Sequence, residues 1–450
     1  MNFTLESLAA ALQSMPRCRS LVVGFSGGLD STVLLHGLHR LGQQADFQWS
    51  LRALHINHGM QSDADNWQRH CERSCEQLNI EFAVVDVRTL FGDRIPTADV
   101  ENAARKVRYQ AFEENLQAGE ALLLAHHLDD QMETLLLRLM RGAGVKGLAG
   151  IPVTRPLGQG FLYRPLLGFE GRQLAEYAGS HGLRWLQDQS NEDEKFDRNF
   201  VRHTLLPSIA SRWPGYRDSW SKTATLAAES QDLLVELAAL DLGTMTTERH
   251  WVIRLEPLLA LSSPRQRNLL RHWLSEIGVP ELGWNRLQQL AAEVLGAKLS
   301  CDASLLGDGF QIRRYQQKLY ALKHLPEIDP ASGLHWDPSE TQTLALPGNG
   351  SLHLRPTTGS GLALPHGAGL QIRYRQGGES CRLAGRPNKS LKKLLQEHEI
   401  EPWLRNRMPL LYIEDALVCI PGIGVAERFT AKADEPSLQI SWRSPDFGIA

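Results

Sequence analysis

Cysteine is scarce in this chain: there are six in 450 residues (Cys18, Cys71, Cys75, Cys301, Cys381 and Cys419). No CxxC and no Cys/His array is present, which argues against a structural zinc site, and the thiols are too scattered for a disulfide framework. Only Cys71 and Cys75 are close, one turn apart on an expected helix, where they read as core or surface thiols. Long hydrophobic runs are missing too. The longest uncharged apolar stretch near the C-terminus, residues 416–426, is too short to span a bilayer and is broken by Pro421 and Gly422. The first residues lack a basic n-region; Leu5, Leu8 and Leu12 have helical spacing and predict an amphipathic helix rather than a signal peptide. Nor does one sign of charge dominate. With 48 Lys and Arg against 51 Asp and Glu, the net charge is −3, so any nucleic-acid contact must come from local basic patches. Repeats and low-complexity tracts are absent. A soluble, cytoplasmic chain of two or three domains, with no membrane partner, is expected.

Residues 21–38, LVVGFSGGLDSTVLLHGL, are the most informative stretch. The apolar run Leu21, Val22, Val23 predicts a buried parallel strand. Ser26, Gly27, Gly28, Leu29, Asp30 and Ser31 form a loop, with Ser31 as the expected cap of a helix whose apolar face carries Val33, Leu34, Leu35 and Leu38. A strand feeding a glycine-rich loop at a helix N-terminus is an anion site, because the glycines admit close approach and unpaired N–H groups face the ligand. The lysine of a GxxxxGK[ST] loop is absent. Asp30 takes an unusual place for an anion site: about 5 Å from a phosphate charge, at an effective dielectric of about 20, its carboxylate would be repelled by roughly 3 kcal/mol. A divalent cation between them, Mg²⁺ by its preference for carboxylate and phosphate oxygens, removes that conflict.

Strands are expected at residues 51–58, 81–87 and 121–125, and helices at 64–78 and 101–112. This alternation predicts a doubly wound parallel α/β sheet, Rossmann-like, with ligands at the carboxyl ends of the strands. SGGLDS, HINHG and HHLDDQMET all fall at such ends. In the last of these Asp130 is a candidate second carboxylate for Mg²⁺, although Asp129 or Asp130 could equally cap a helix. His126 is a candidate for binding phosphate or polarising an activated group.

SGGLDS between strand and helix resembles the pyrophosphate loop of the ATP pyrophosphatase superfamily, whose members split ATP between the α- and β-phosphates and attach AMP to a carbonyl oxygen. The series SGGLDS, HINHGM, ENAARKVRY, HHLDDQMET, RGAGVKGLAG and DQSNEDEKFDRNFVRHTLLP resembles the tRNA(Ile)-lysidine synthetases. That resemblance implies adenylylation of C2 of the cytidine at the first anticodon position of an isoleucine tRNA with anticodon CAU. Free L-lysine then displaces AMP through its ε-amino group. It implies ATP and Mg²⁺, with Ser26, Gly27, Gly28, Leu29, Asp30 and Ser31 on the nucleotide, Asp30 and Asp130 on the metal, and His126 and Arg105 at the reacting centre. Asp188, Asn191, Arg198, Asn199, Arg202 and His203 would lie beside the lysine or cytidine; read alone, Arg198 and Arg202 are an i,i+4 pair on a solvated helix face. Phe196 stands where the family often has tyrosine, so a hydroxyl role there is absent.

Pro214 and Gly215 mark an expected boundary. Residues 219–240, 264–277 and 284–295 read as amphipathic helices, with Leu269, Leu270, Trp273 and Leu274 inward and Arg265, Arg267 and Arg271 outward. Residues 310–322 alternate like a strand. The composition of 327–350, rich in Pro, Gly, Asp and Ser, reads as a linker with one strand. Between Arg373 and Arg407 lie nine basic and four acidic residues, a local excess of five positive charges in a chain of net −3. This is the footprint of phosphate-backbone contact. Leu391, Leu394 and Leu395 would face inward on a short helix and Lys392 and Lys393 outward. The segment resembles the family's C-terminal tRNA-binding domain, which implies Arg382, Arg386, Lys389, Lys392, Lys393 and Arg405 as tRNA contacts. The expected organisation is a catalytic domain at 1–214, a small helical domain at 215–326, a linker at 327–350 and an α+β domain at 351–450, with a homodimer as one partner expectation. A tRNA thiolase is disfavoured by the missing CxxC and an amidotransferase by the missing glutaminase unit. An RNA-binding protein with an idle nucleotide loop is disfavoured by the intact Asp30 and Asp130.

Overall fold

The apolar run at residues 21–23 lies at the centre of a six-stranded sheet in the computed structural model, which describes residues 2–57, 64–87, 100–187, 192–296, 303–328, 333–365 and 367–449. The strands are β1 (Ser20–Gly24), β2 (Ser50–Asn57), β3 (Glu81–Asp86), β4 (Glu120–Leu123), β5 (Thr154–Leu157) and β6 (Gly160–Tyr163), in the spatial order β3-β2-β1-β4-β6-β5. All pairings are parallel except that of β5, an antiparallel edge strand on β6. Successive side chains alternate between two apolar layers. Leu21, Val23, Ala53, Ala121 and Leu123 pack on one side, and Val22, Leu54, Ile56, Leu122 and Leu162 on the other. Burial on both faces is why these strands read as continuous apolar runs rather than alternating ones.

Helices cover both layers. α1 (Leu5–Leu12) buries Leu8 and Leu12, and its first turn is closed by a reciprocal pair: Thr4 N–H donates to Ser7 Oγ (2.8 Å) and Ser7 N–H to Thr4 Oγ1 (3.2 Å). It packs on α2 (Leu29–Gly42) within the first layer, joined there by Cys71 and Cys75 of α3 (Ala64–Leu78). Both thiols are fully buried, and burial pushes them up to about 12, so they are inert core groups. α4 (Val100–Glu114) covers the other layer with Ala111 and Phe112. α5 (Leu128–Met140) follows β4, and α6 (Gly171–Ser180) returns to the first layer with Leu174, Tyr177 and Ala178. The order of strand addition reverses between β1 and β4: α2 leads to β2 on one side of β1, and the return places β4, also parallel, on the other. In an open α/β sheet that switch point is where ligands sit.

The chain forms two compact units, residues 1–233 and 234–450, divided within the helix Tyr216–Gly243 that begins directly after Pro214 and Gly215. In the second unit the helix Ser263–Glu276 buries Leu269, Leu270, Trp273 and Leu274 as expected. Arg265 is exposed as expected, and its guanidinium also pairs with the buried Asp241. Residues 310–322 are two strands of a hairpin, Phe310–Tyr315 and Lys318–Lys323, not one. The turn carries no glycine because Gln316 itself takes the left-handed region (φ 49°). The stretch expected as a linker holds two short strands, Leu334–Trp336 and Thr343–Ala345, and Trp336 and Leu346 are buried with Leu352, Ile372, Leu411 and Ile440. Short antiparallel strands joined by tight turns share the Pro-, Gly-, Asp- and Ser-rich composition of a linker. No helix among the described residues is long and apolar enough to cross a membrane.

Candidate active site

The loop after β1 is tied down from three sides. Phe25 N–H continues the strand pairing to Leu54 O (2.9 Å). The Trp67 indole N–H of α3 donates to Ser26 O, and Leu186 N–H donates to Gly27 O (2.9 Å). Gly28 O accepts from Thr32 N–H (3.0 Å), Thr32 Oγ1 (2.9 Å) and Ser31 Oγ (3.1 Å). With these carbonyls occupied by protein donors, the loop offers N–H groups to an anion. Gly27 is required at its position: φ is +79°, and a Cβ there would stand 2.8 Å from Cys71 Sγ and 3.0 Å from Trp67 Nε1. Ser31 is not the cap. α2 starts at Leu29 with Gly28 as its N-cap, which places Asp30 and Ser31 in the first turn, and Ser31 Oγ shares a hydrogen bond with Ser26 Oγ (3.0 Å).

On the adjacent strand end the N-cap of α5 is neither Asp129 nor Asp130 but His127. Its Nδ1 accepts from Asp129 N–H (3.2 Å), and its own N–H donates to Asp130 Oδ2 (3.0 Å). Held this way, His127 Nε2 lies 3.6 Å from Asp30 Oδ2 and 3.7 Å from Asp130 Oδ2. One imidazole thus stands between the two carboxylates proposed for the metal. The two acids differ in environment. Burial raises the Asp30 carboxyl above its usual range and the Asp130 charge adds to this, against the pull of His127 and Arg202. Burial works the same way on Asp130 but is overcome by His127, Arg198, His126 and the His127 N–H bond, which hold it at about 2. Asp129 serves the scaffold: it accepts from Gly171 N–H (2.9 Å) at the start of α6 and from Arg217 Nε (2.8 Å).

Arg198 and Arg202 are not on a solvated face. Arg198 donates to Asp130 Oδ1 and Glu133 Oε2 (both 2.7 Å). Arg202 donates to Glu133 Oε1 (2.6 Å) and Oε2 (3.1 Å). Glu133 is completely buried. Between Arg198 and Arg202 the chain passes from an α-turn (Asp197–Phe200) into a π-turn (Val201–Leu205), a distortion common at functional sites. Asn199 is buried and donates to Asp193 O (2.9 Å), closing the loop before this turn, whereas His203 is exposed. Asp188 and Asn191, like His58 and Gly59 of the HINHG motif, lie outside the described residues.

His126 is held by a residue the sequence did not single out. Arg164, directly after β6 and 3% exposed, donates Nε to His126 Nδ1 (3.2 Å), Nη1 to Pro152 O (2.7 Å) and Nη2 to Tyr109 Oη (3.2 Å). Arg105 is exposed and lies 5.6 Å from the Tyr109 ring centre, so it connects to His126 through Tyr109 and Arg164. Burial, with the charges of Arg164, Arg198 and Arg105, pushes the His126 ring down to about 3 against the pull of Asp130, so it is neutral at physiological pH. His127, Glu133, Arg164 and Arg217 are the additional residues of this site. Only the doubled histidine and the Glu133 of HHLDDQMET offered a sequence signal; the arginines are joined to it by long-range pairing alone.

In the second unit the helix Leu391–Glu397 buries Leu391, Leu394 and Leu395 and exposes Lys392 and Lys393. Arg386 is exposed as well. Arg382 pairs with Glu427 (2.8 Å) and Lys389 with Glu397 (2.7 Å). Arg405 donates to Ile400 O (2.8 Å) and to Tyr315 Oη (3.2 Å), so part of its role is internal.

A family model described as a PP-loop domain matches residues 2–209, and models described as the TilS substrate binding domain and the TilS substrate C-terminal domain match 254–320 and 370–442. The fold and the loop therefore define the first domain as an ATP-binding PP-loop domain. Over 428 residues the chain is 41% identical to a tRNA(Ile)-lysidine synthase of Pseudomonas syringae pv. tomato, covering 92% of this chain and 91% of the relative. It is 37% identical over 446 residues to that of Coxiella burnetii, covering 98% and 97%. Among solved structures, a U34-tRNA thiolase of Methanococcus maripaludis aligns over 50% of this chain and 79% of its own (18% identity, TM-score 0.42). The chain belongs to the tRNA(Ile)-lysidine synthase family.

Proposed function

We propose that this protein joins the ε-amino group of free lysine to C2 of the cytidine at the first anticodon position of an isoleucine tRNA with anticodon CAU. ATP is converted to AMP and pyrophosphate through an adenylated-tRNA intermediate. The observation that carries this reading is the meeting, at two neighbouring strand ends, of a phosphate loop with a His127-centred cluster of Asp30 and Asp130, in a chain related to lysidine synthases along nearly its whole length.

The residues divide the work by charge. The loop N–H groups and the N-terminus of α2 bind the phosphates. Asp30 fits a Mg²⁺ ion: its carboxylate is partly exposed beside the phosphate loop and close to Asp130, with only the His127 ring between the two acids. Asp130 would be a shared ligand, since Arg198 and the His127 N–H already occupy its two oxygens. Mg²⁺ takes few protein carboxylates and would complete its shell with phosphate oxygens and water. Such an ion would supply neutralisation of the departing pyrophosphate. His126, neutral and fixed, would polarise the activated C2 oxygen, and the Arg198–Arg202 pair with Glu133 would flank the lysine or cytidine, together with Asp188, Asn191, Asn199 and His203. Arg386, Lys392 and Lys393, joined by Arg382, Lys389 and Arg405, would meet the tRNA backbone. The reaction would run in the cytoplasm, with a homodimer as the proposed assembly.

The test is incubation of the purified protein with ATP, Mg²⁺, radiolabelled lysine and an isoleucine tRNA transcript bearing CAU. Label fixed in the tRNA only with ATP and only with C at the first anticodon position is the expected result. Pyrophosphate release without fixed label would mean that the nucleophile is another compound, and no release at all would leave an RNA-binding protein. Asp30→Asn should lower AMP transfer by orders of magnitude while tRNA affinity is retained; wild-type turnover would remove Asp30 from the metal.

A further inference from the structure

We propose that Arg164 is a positioning residue for the activation step: its guanidinium fixes His126 as the tautomer with the proton on Nε2, so that this ring acts as an N–H donor and never as a base. The inference rests on the placement of His126 at the reacting centre.

The assignment follows from donor chemistry. A guanidinium has five N–H donors and no acceptor, and it stays protonated in proteins. Arg164 Nε lies 3.2 Å from His126 Nδ1, so Nδ1 must accept, and the single proton of the neutral ring resides on Nε2. Hydrogen bonds to imidazole commonly select a tautomer through a carbonyl or carboxylate on Nδ1–H; here the selecting group is a cation, and the outcome is reversed.

The rest of the contacts hold the arginine in place. Its side chain is buried, and Nη1 and Nη2 are used by Pro152 O (2.7 Å) and Tyr109 Oη (3.2 Å), while its own N–H donates to Val153 O (2.9 Å). Tyr109 is in turn pressed by Arg155, 4.4 Å from its ring centre, with Arg105 at 5.6 Å. None of the hydrogen bonds described for Arg164 goes to a carboxylate. A buried cation whose partners are a carbonyl, a hydroxyl and an imidazole is weakly compensated, and a scaffold role alone would be served better by an apolar side chain. A role through His126 gives the cation a reason to be there. When the C2 oxygen attacks the α-phosphorus and the bond to pyrophosphate breaks, negative charge builds on the phosphate oxygens; toward those oxygens a fixed N–H donor is stabilising, whereas a lone pair in the same place would be repulsive.

The experiment uses full-length protein with ¹⁵N-labelled histidine, the His126 signals being identified by their loss in His126→Gln. Wild type should show a neutral ring with an unprotonated Nδ1. Arg164→Lys keeps the charge but loses the planar fork, so the ring should sample both tautomers. Single-turnover tRNA adenylylation should fall about 10- to 100-fold, with KM for tRNA within about twofold. Tyr109→Phe keeps the Nε contact and should hold the tautomer and most of the rate, which separates positioning from general loosening. A protonated Nδ1 in wild type, or full rate and an unchanged tautomer in Arg164→Lys, would overturn the proposal. A mixed tautomer with undiminished adenylylation would overturn the place of His126 at the reacting centre as well, while lysine fixation by the wild-type protein would still stand on its own assay.

Discussion

Replacing His36 by glutamine should change the number of protons the protein takes up when it unfolds. His36 lies in α2, the helix whose first turn carries the phosphate loop, and its Nδ1 is 3.0 Å from the Tyr177 hydroxyl of α6. Burial, with the charges of His181, Arg40 and His39, lowers the ring from 6.5 to about 4. The folded ring is therefore neutral where the unfolded ring is charged. Near pH 5.5 the unfolded ring carries about 0.9 proton and the folded ring almost none, so stability changes by roughly 1.2 kcal/mol per pH unit through this group alone. The sign is fixed: the unfolded state binds more protons, so the stability present above pH 6.5 is lost as pH falls toward about 4. Between about pH 7.5 and pH 5 the loss is about 2 kcal/mol. Calorimetric unfolding near pH 5.5 in two buffers of different ionisation enthalpy counts the protons directly, without a two-state assumption. His36→Gln retains a polar contact for Tyr177 and should take up about 0.9 proton fewer than wild type. A difference below about 0.3 proton would show that the ring titrates normally when folded and that its burial does not govern it.

Glu133→Ala leaves Arg198 and Arg202 without their buried carboxylate and should destabilise the protein by about 3–5 kcal/mol, read as a lower urea midpoint; a change below about 1 kcal/mol would return the arginines to solvent. Gly27→Ala meets both a left-handed backbone, at about 1–2 kcal/mol, and the Cys71 sulfur, so KM for ATP should rise at least about tenfold. Adding Cys71→Ala should recover only the steric part, and complete recovery would mean that the backbone was never strained. Lys392→Ala with Lys393→Ala should weaken tRNA binding and flatten its log–log salt dependence by roughly 0.7–0.9 per lost phosphate contact. An unchanged slope would make the helix an ordinary solvated face.

Local physics made most of the first domain readable. Residues buried on both sheet faces give apolar runs with clear ends, and the helix Ala64–Leu78 is as its pattern predicts. The loop and the HHLDD turn were legible because each is a contiguous signal at a strand end. What could not be read depends on contacts far apart in the chain. Which of His126, His127, Asp129 and Asp130 caps α5 is decided by geometry that four polar residues within five positions do not reveal. Arg198 and Arg202 have the spacing of a surface pair, and only their pairing with Glu133, on another helix, turns them inward. The same holds for Arg164, an unremarked residue at the end of a four-residue strand. One strand was legible in each of the stretches 310–323 and 334–345, but the turn and second strand in each were not: a turn closed by Gln316 carries no glycine, and short strands between turns resemble a tether.

The β1–β4 pairing has a consequence for biosynthesis. Leu21 lies against Ala121, a contact that closes about a hundred residues of chain, and the arginines that clamp Asp130 and Glu133 come later still. No early fragment of the nascent chain can hold the nucleotide site, because its two halves meet only when the sheet's central seam has formed. Parallel pairing across so long a loop is slow to nucleate. Nucleotide bound after that point stabilises the closed seam in proportion to the logarithm of its concentration over its dissociation constant. The cell's ATP level thus acts as a late folding partner for this domain as well as its fuel.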